Sequence, residues 1–587
     1  MTAPIVAKLA DRDRVRTRTA MKLHTILLAS LVLAPSGLGR PQEPAAAEQR
    51  ASAFEWGPRQ AEHLFNRAGF GARPNEIGYA LRMPHTDFVE QLLKGFAEGG
   101  DPFFVEPLAR PARREFEGDE DAYRKALERY RREERALLVG YSGWWVDQMI
   151  DGKDPLREKM VLFWHGYFTS SARDVKSATA MVRQNELFHR HALGNFRELL
   201  RAIVRDPAMI EYLDNNQNRK GNPNENLARE IMELFTLGEG HYTEDDIKEG
   251  ARALTGWRTN DDKTDAYFVS RQHDSGVKTI LGRKGKFDAD DFVDILLDQP
   301  ACPRWIARRL LAYFEGAEPS EERLAEYAAC LKAERFEVAP FLRKLFLDPR
   351  FYRDEILGER ISSPVEYLVG TTRRLGVEVP AQLLWLAAGQ LGQRLFDPPN
   401  VKGWEGGEAW ITTSTLLARG NMAGMLIGVV KFEDVLKDES FDVGDDEDSM
   451  MGGDAMSGDS PSRAATGAGT ARPKRDAKRE AKPDLGPEMG ALKRLTGEFY
   501  YPRINLSARA TRLGVSRDGA LIEALCDELL PVPLSETSRI ALLDFLRAER
   551  GALMLEDGKL LSAGAKAEDV LRRLAHLILS LPEAQLG

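Results

Sequence analysis

The sequence is poor in cysteine and has no surplus of positive charge. Only three of its 587 residues are cysteine, Cys302, Cys330 and Cys526, and no two of them form a CxxC pair. This excludes a thiolate zinc cluster and a disulfide framework, and leaves room for at most one bridge. Lysine and arginine number 82 against 91 aspartate and glutamate residues, so the formal net charge is −9. Non-specific nucleic-acid binding needs the opposite balance, so nucleic acid is not an expected partner.

The signatures of several enzyme classes are also missing. The chain contains no GxSxG, HExxH or GxxxxGK[ST] motif. The sequence therefore predicts no nucleophile elbow, no zincin helix and no phosphate-binding loop.

The first 48 residues are typical of an N-terminal extension followed by a secretory signal. Residues 21–34 carry a lysine and then an apolar run, Ile26 to Ala34, that is too short to span a bilayer. Residues 1–20 include two aspartates, so Met21 rather than Met1 is a candidate start. We expect an exported protein, periplasmic or extracellular, with no membrane span in the mature chain.

The rest of the chain predicts an all-α fold. Residues 49–432 are dense in apolar positions at helical spacing and have few alternating runs typical of strands, which predicts a large multi-helix body. One long helix is expected from Glu120 to Met149, polar in its first half and apolar in its second. Residues 433–488 are acidic, then rich in small residues, then basic, which predicts a disordered linker. Helical patterning returns over 489–587, interpreted as a C-terminal segment that packs on the body.

Acidic residues between Asn222 and Gly256 are the main candidates for chemistry. A helix is expected to start with Asn222 as its N-cap and to stop at Gly238. A helical projection places Glu230 beside the apolar face, and Asp246 falls in the first turn of the next helix. Two interpretations are open. These acids either cap helices and face solvent, or they enter a cleft and bind a metal or move protons.

The segment before that helix has the oxygen-ligand spacing of a calcium loop. Counting Asp214 as position one, Asn216 and Asn218 fall at positions three and five, and Glu225 falls at position twelve. Position six is Arg219, where the loop needs glycine for its sharp turn. The alternatives are a divalent-cation site, such as one for calcium, and an asparagine-rich turn that leads into a helix.

His165 and two tryptophans complete the candidates. His165 lies within the aromatic segment REKMVLFWHGYFTSS (157–171), so it is either a core histidine or a proton donor and acceptor. Trp404 and Trp410 lie in a glycine-rich segment, where exposed indoles would stack on a sugar ring and buried ones would pack under the loop.

Several long motifs resemble one bacterial family, called domain of unknown function 1800. They are RAGFGARPNE (67–76), REKMVLFWHGYF (157–168), NPNENLAREIMELFTLGEGHYTEDDIKEGARALTGW (222–257), HDSGVKTILG (273–282) and PPNVKGWEGGEAWI (398–411). The resemblance implies a large, mostly helical, exported protein whose activity is not established, and it lends no catalytic residues. Members are often encoded beside proteins of a second family, domain of unknown function 1501, which is similar to sulfatases and alkaline phosphatases.

Two functional hypotheses follow. The first is a hydrolase or lyase that acts on an envelope or extracellular polymer, in a polar cleft formed by segments 157–171, 222–257 and 396–411, with His165, Glu230 and Asp246 as acid, base or metal ligand. The second is a non-catalytic binding or assembly protein that works with the co-encoded sulfatase-like partner, through polysaccharide or protein contacts. Convergence of the polar residues at one place would favour the enzyme.

Overall fold

The computed structural model describes residues 54–96, 103, 107–430 and 502–587. The predicted signal segment and the predicted linker both lie outside the described residues. Within them, the chain from Trp56 to Gly587 forms one compact unit.

The described residues are predominantly helical, which confirms the predicted all-α class. Their 22 α-helices, α1 to α22 in chain order, are Pro58–Ala68, Glu76–Ala80, His85–Lys94, Glu120–Asp151, Pro155–Tyr167, Ala172–Val175, Ala178–His191, Phe196–Ile203, Pro207–Tyr212, Asn226–Glu230, Glu244–Ala253, Ala289–Leu297, Ala301–Glu315, Glu321–Ala333, Val338–Leu347, Pro364–Leu375, Ala381–Gln390, Thr413–Leu426, Leu506–Arg512, Asp518–Leu529, Glu536–Ala552 and Ala565–Leu579. A π-helix, Ile231–Leu237, continues α10 directly.

Two short antiparallel hairpins are the only sheets in the described part of the chain. Strand β1 (Trp257–Thr259) pairs with β2 (Ala266–Phe268), and β3 (Lys278–Ile280) pairs with β4 (Arg283–Gly285). Leu281 and Gly282 join β3 to β4, and both have positive φ. This is the backbone conformation that a two-residue hairpin turn requires.

The long helix α4 passes from solvent into the core, as its sequence predicts. It begins at Glu120 and ends at Asp151, within two residues of the expected end. The Asp119 side chain caps it by accepting a hydrogen bond from the Ala122 N–H at 2.9 Å. Its buried residues are concentrated in the second half, where Tyr141 and Trp145 are fully buried.

One part of the core is an aromatic cluster between α5, α8 and the π-helix. Trp164 stacks on Phe168 with ring centroids 5.8 Å apart, and Phe168 stacks on Phe196 at 6.0 Å. Phe235, from the π-helix, meets Phe168 edge to face at 5.0 Å. Burying such a side chain contributes roughly 2–3 kcal/mol, so these contacts hold α5 and the π-helix in fixed relation.

The C-terminal helices pack against the body. Helix α22 contacts α18, and α20 contacts α16. The buried Arg419 guanidinium donates to the Ser362 carbonyl at 2.9 Å and to the Gln585 side chain at 3.3 Å. Residues on either side of the 431–501 interval are therefore joined by direct hydrogen bonds.

The structure also bears on the expectations of few disulfide bridges and no membrane span. All three cysteines are unbridged, and two of them are buried. Across the described ranges, no helix combines the length and the apolar character that crossing a bilayer requires.

Candidate functional site

His165 fixes the backbone of the loop that follows α17. Its Nε2 accepts a hydrogen bond from the Phe396 N–H at 3.0 Å, and Phe396 has a φ of 67°, a conformation that costs energy for a residue with a side chain. The imidazole is 2% exposed and meets the Trp145 ring edge to face. His165 is thus placed as a core histidine that positions the loop.

The surroundings of His165 also argue against proton transfer by this residue. Burial lowers the pKa of His165 to about 3. A base of that pKa takes up a proton only in strong acid, because burial disfavours the charged imidazolium. The prediction that His165 acts in the chemistry has no support in these contacts.

A close approach of two backbones anchors the same loop further along. Gly403 has a φ of 80°, and a Cβ at this position would lie 2.6 Å from the Gly166 carbonyl oxygen. The Thr169 hydroxyl donates to the Val401 carbonyl. Only glycine fits at 403. These contacts fix the backbone on both sides of Lys402.

The two loop tryptophans differ in exposure. Trp410 is 8% exposed, so it packs beneath the loop. Trp404 is half-buried, with its ring 5.8 Å from that of His165. Stacking of a sugar on Trp410, which requires an exposed indole, is excluded by its burial.

An ion pair joins the loop to the short helix α6. The Arg173 Nε donates to Asp397 at 2.8 Å, and the Ala172 N–H donates to the Phe396 carbonyl at 2.8 Å. The Asp397 side chain is 6% exposed in this pair, whereas the Arg173 side chain is 44% exposed. The next residue, Asp174, is exposed.

The π-helix at the end of α10 sets the position of Glu230 and its neighbours. The Gly238 N–H donates to the Glu233 carbonyl at 3.1 Å, a hydrogen bond five residues back instead of four. Side chains supply further donors to this segment: the Tyr167 hydroxyl bonds the Phe235 carbonyl and the Trp305 Nε1 bonds the Leu234 carbonyl, both at 2.8 Å. These contacts stabilise a conformation that is frequent at functional sites.

Five side chains from four segments are linked by electrostatic interactions, Tyr212 with Asp174, Glu230 and Asp397, and Glu230 with Lys402. We call them the acidic cluster: Asp174, Tyr212, Glu230, Asp397 and Lys402. Burial raises the pKa of Tyr212 to about 12, and the charges of Asp174, Glu230 and Asp397 add to that effect. Burial also raises the pKa of Glu230, with a further contribution from Glu233 and an opposing one from Lys402. The cluster therefore holds a carboxyl group whose pKa is raised by burial, together with other carboxylates and one ammonium group.

Asp246 has a local structural role. Its side chain completes a capping box with Thr243, accepting from the Thr243 N–H at 2.9 Å. Its other oxygen accepts from the Leu281 N–H at 2.6 Å. Asp246 therefore caps α11 and holds the turn between β3 and β4, as the capping interpretation predicts.

The predicted calcium loop is a network of side-chain and backbone hydrogen bonds. Asn216 Oδ1 accepts from the Thr259 N–H at 2.9 Å, and Asn218 Oδ1 accepts from the Asn224 N–H at 3.1 Å. Glu225 is paired with Arg229 at 3.1 Å. Asp214, with a φ of 56°, accepts a hydrogen bond from Gln217 at 3.3 Å. The candidate ligands are thus bonded to separate partners.

No group of three or more His, Cys, Asp or Glu side chains is arranged to hold a metal ion within the part of the chain that the structure describes. The calcium prediction therefore draws no support from these contacts and stays a prediction.

The start of α10 differs from the prediction. The helix begins at Asn226 and not after Asn222, because Arg219 and Asn222 form a bridged turn and the Asn224 side chain accepts from the Asn226 N–H at 3.0 Å. Asparagine readily makes such local turns, which compete with helix formation.

Sequence reasoning named one member of the acidic cluster, Glu230, and missed four. Asp397 and Lys402 do lie within the glycine-rich segment that had been singled out for its tryptophans. Asp174 and Tyr212 lie outside every motif considered, and it is the packing of α6 against α9 that relates them.

Comparison with known proteins gives a family and no activity. A family model described as "Protein of unknown function (DUF1800)" matches residues 63–586. No curated protein and no solved structure matches the chain.

Proposed function

We propose that this chain, which belongs to the DUF1800 family of proteins of unknown function, is an exported enzyme that cleaves an extracellular or envelope polysaccharide by acid–base catalysis. The observation that carries the proposal is the acidic cluster, in which Tyr212 interacts electrostatically with Asp174, Glu230 and Asp397, and Glu230 with Lys402. Paired carboxyl groups with different environments are the usual means of glycosidic bond cleavage.

Glu230 is the proton donor in this proposal. Burial and the charge of Glu233 raise its pKa, so a larger fraction of the carboxyl group holds a proton near neutral pH. Asp174, exposed in the first turn of α6, is the second carboxylate. Tyr212, whose pKa is raised to about 12, stays protonated and donates a hydrogen bond to the substrate.

The proposed reaction is hydrolysis with balanced proton transfer. Glu230 protonates the bridging oxygen as the glycosidic C–O bond breaks, and Asp174 takes a proton from the water whose oxygen bonds to the anomeric carbon. Lyase chemistry on an acidic polysaccharide would use the same groups, with a carboxylate removing a proton from carbon. The polymeric substrate is proposed because the sequence of residues 21–34 predicts export.

The test is a cleavage assay with the purified full chain. A panel of neutral and acidic polysaccharides would be assayed for new reducing ends, which both reactions release, and for ultraviolet absorbance of unsaturated sugars, which only a lyase produces. Glu230→Gln and Asp174→Asn should each lower the rate by about 10²–10⁴-fold. The matched control is Glu239→Gln, at an exposed glutamate close to the same π-helix.

Unchanged rates in both variants would overturn the assignment of the cluster. The absence of turnover on the whole panel, together with a stable complex formed with a co-encoded sulfatase-like protein, would favour the non-catalytic binding role.

A further inference from the structure

An exposed aromatic ring lies on the β1–β2 hairpin, outside the acidic cluster. Phe268, in β2, is 44% exposed, whereas most large apolar side chains of the described residues are buried. Its ring lies 5.5 Å from that of Trp257, which is directly opposite in β1, and 5.4 Å from the imidazole of His273. Both neighbours come from segments that resemble the family, 222–257 and 273–282, and neither takes part in the proposed chemistry.

The Phe268 ring packs closely against the backbone beneath it. A Cβ at Gly256 would lie 3.1 Å from Cε2 of Phe268 and 3.2 Å from Cβ of His273, and Gly256 has a φ of 93°. Only glycine lets both side chains approach the chain this closely. The guanidinium carbon of Arg205 lies 5.1 Å from the centre of the Trp257 ring. A cation therefore already occupies one face of the indole, and Phe268 is the more exposed of the two rings.

Hydrogen-bonding groups border this ring. Nδ1 of His273 lies 3.0 Å from the Thr255 carbonyl oxygen, so in the neutral imidazole Nδ1 carries the hydrogen and Nε2 is an acceptor. The Val269 N–H donates to the Gly256 carbonyl at 2.8 Å, which makes these two residues a hydrogen-bonded pair of the hairpin. The preceding residue, Phe268, then directs its own N–H and carbonyl to the outer edge of β2. That edge pairs with no other strand among the described residues.

We propose that Phe268, with His273 beside it, forms a binding subsite for one sugar ring of a polysaccharide, outside the acidic cluster. The C–H face of a pyranose packs on an aromatic ring, and the sugar hydroxyls find donors and acceptors at its border. A protein partner fits less well, because a stable interface buries roughly 800 Å² on each side. The other exposed aromatic residue of the hairpin, Tyr267, lies on the opposite face of β2 and adds nothing to this surface.

The hairpin connects the subsite to the acidic cluster. At its turn, the Lys263 ammonium donates to the Val175 carbonyl at 2.9 Å and pairs with Glu211 at 3.1 Å. These two residues adjoin Asp174 and Tyr212 of the cluster. The aromatic ring lies at the other end of a three-residue strand, roughly 10 Å from the turn. A polymer with one unit at the cluster would thus extend along the hairpin. The inference rests on the proposed polysaccharide substrate and adds a binding site away from the bond that is cleaved.

Affinity electrophoresis tests the subsite. The full chain would migrate through gels that contain carboxymethylcellulose, xylan or alginate, and its slowing with rising polysaccharide concentration gives a dissociation constant for each. We expect at least one of the three to slow the chain. Phe268→Ala and Phe268→Leu should each weaken that binding about tenfold, because leucine keeps an apolar contact with Gly256 but has no flat ring.

The matched control is Tyr267→Ala, which removes a similarly exposed ring from the opposite face of the same strand and should leave binding unchanged. Phe268→Tyr keeps a flat ring and should bind as the wild type does, and thermal melting checks that each variant is folded. No slowing by any of the three polysaccharides, an unchanged Phe268→Leu variant, or an equal loss in Tyr267→Ala would each overturn the proposal.

Binding and cleavage are separate readouts. Slowing that depends on Phe268, without turnover, would leave this inference standing and remove the proposed catalysis. Turnover together with slowing that is insensitive to Phe268 would do the reverse.

Discussion

Two charged regions of the protein illustrate how the same residue types serve different purposes. In the core, Glu366 bonds both the Lys159 ammonium and the Arg360 guanidinium, and accepts from the Ser363 N–H at 3.0 Å. Lys159 is fully buried. In the acidic cluster, Asp174 and Lys402 are exposed, and Glu230 is only partly buried. Both partners of the Lys159–Glu366 pair are enclosed, whereas in the Arg173–Asp397 pair of the second region the arginine side chain is 44% exposed.

A shifted pKa by itself does not separate these regions. Burial, opposed by Glu366, lowers the pKa of Lys159 to about 7. Burial alone would raise the pKa of Glu366, yet Arg360 and Lys159 hold it well below its usual range. Burial raises the pKa of Glu230 without an ion pair of that kind. What separates the regions is whether a group with a shifted pKa has all its hydrogen bonds and ion pairs within the protein, or is accessible to a substrate.

The largest expected effect comes from removing the Glu366 carboxylate, which pairs with Lys159 and Arg360 in the core. We call these three residues the enclosed region. Glu366→Gln should lower the free energy of unfolding by about 3–5 kcal/mol, because two buried cations lose their counter-charge. Urea titration followed by circular dichroism measures it. The double variant Glu366→Gln with Lys159→Met should recover part of the loss. A single variant as stable as the wild type would mean that the pairing contributes little.

The free energy of unfolding should fall at acid pH because His165 is buried in its uncharged form. Its folded-state pKa of about 3 lies below the ordinary value of 6.5. Between pH 6.5 and pH 3 the His165 side chain is therefore protonated in the unfolded chain but not in the folded chain. The contribution of His165 to the free energy of unfolding falls as the pH falls through this range. At pH 4.5 the loss is about 2–3 kcal/mol relative to neutral pH.

His165→Gln should flatten that dependence, since an amide can still accept from the Phe396 N–H without titrating. His241→Gln, at an exposed histidine, is the control and should leave the profile unchanged. Identical pH profiles for the wild type and His165→Gln would contradict the placement of His165 as a buried neutral base.

These two regions also show what the sequence can and cannot predict. Helical periodicity and capping residues predicted the all-α class and the extent of α4, because local patterns control both. Lys159 and Glu366 are 207 positions apart in the chain, so their pairing leaves no local pattern in the sequence. The π-helix was likewise not predicted, although the projection at helical spacing correctly placed Glu230 beside the buried face. Asp174 and Tyr212 are related by the packing of α6 against α9, which leaves no local pattern either.

The same substitution should have the opposite sign in the acidic cluster. Glu230→Gln removes a carboxyl group whose charged form is disfavoured by burial and by Glu233. We expect the free energy of unfolding to stay constant or rise by a few tenths of a kcal/mol, while cleavage is lost. Urea titration in parallel with the Glu366→Gln series measures it. A loss of 2 kcal/mol or more, on the order of a buried pair, would make Glu230 a structural residue and would remove the distinction between the regions.

The smallest effect is expected at the asparagine-rich loop, which resembles the enclosed region in having its polar groups bonded. Thermal melting in calcium and in chelator should give the same midpoint, because Asn216 and Asn218 already accept backbone hydrogen bonds and Glu225 is paired with Arg229. An ion that binds only the folded state would raise the midpoint. A rise in calcium that Glu225→Gln abolishes would show that the loop rearranges around a cation, and that bonded side chains can still be ligands.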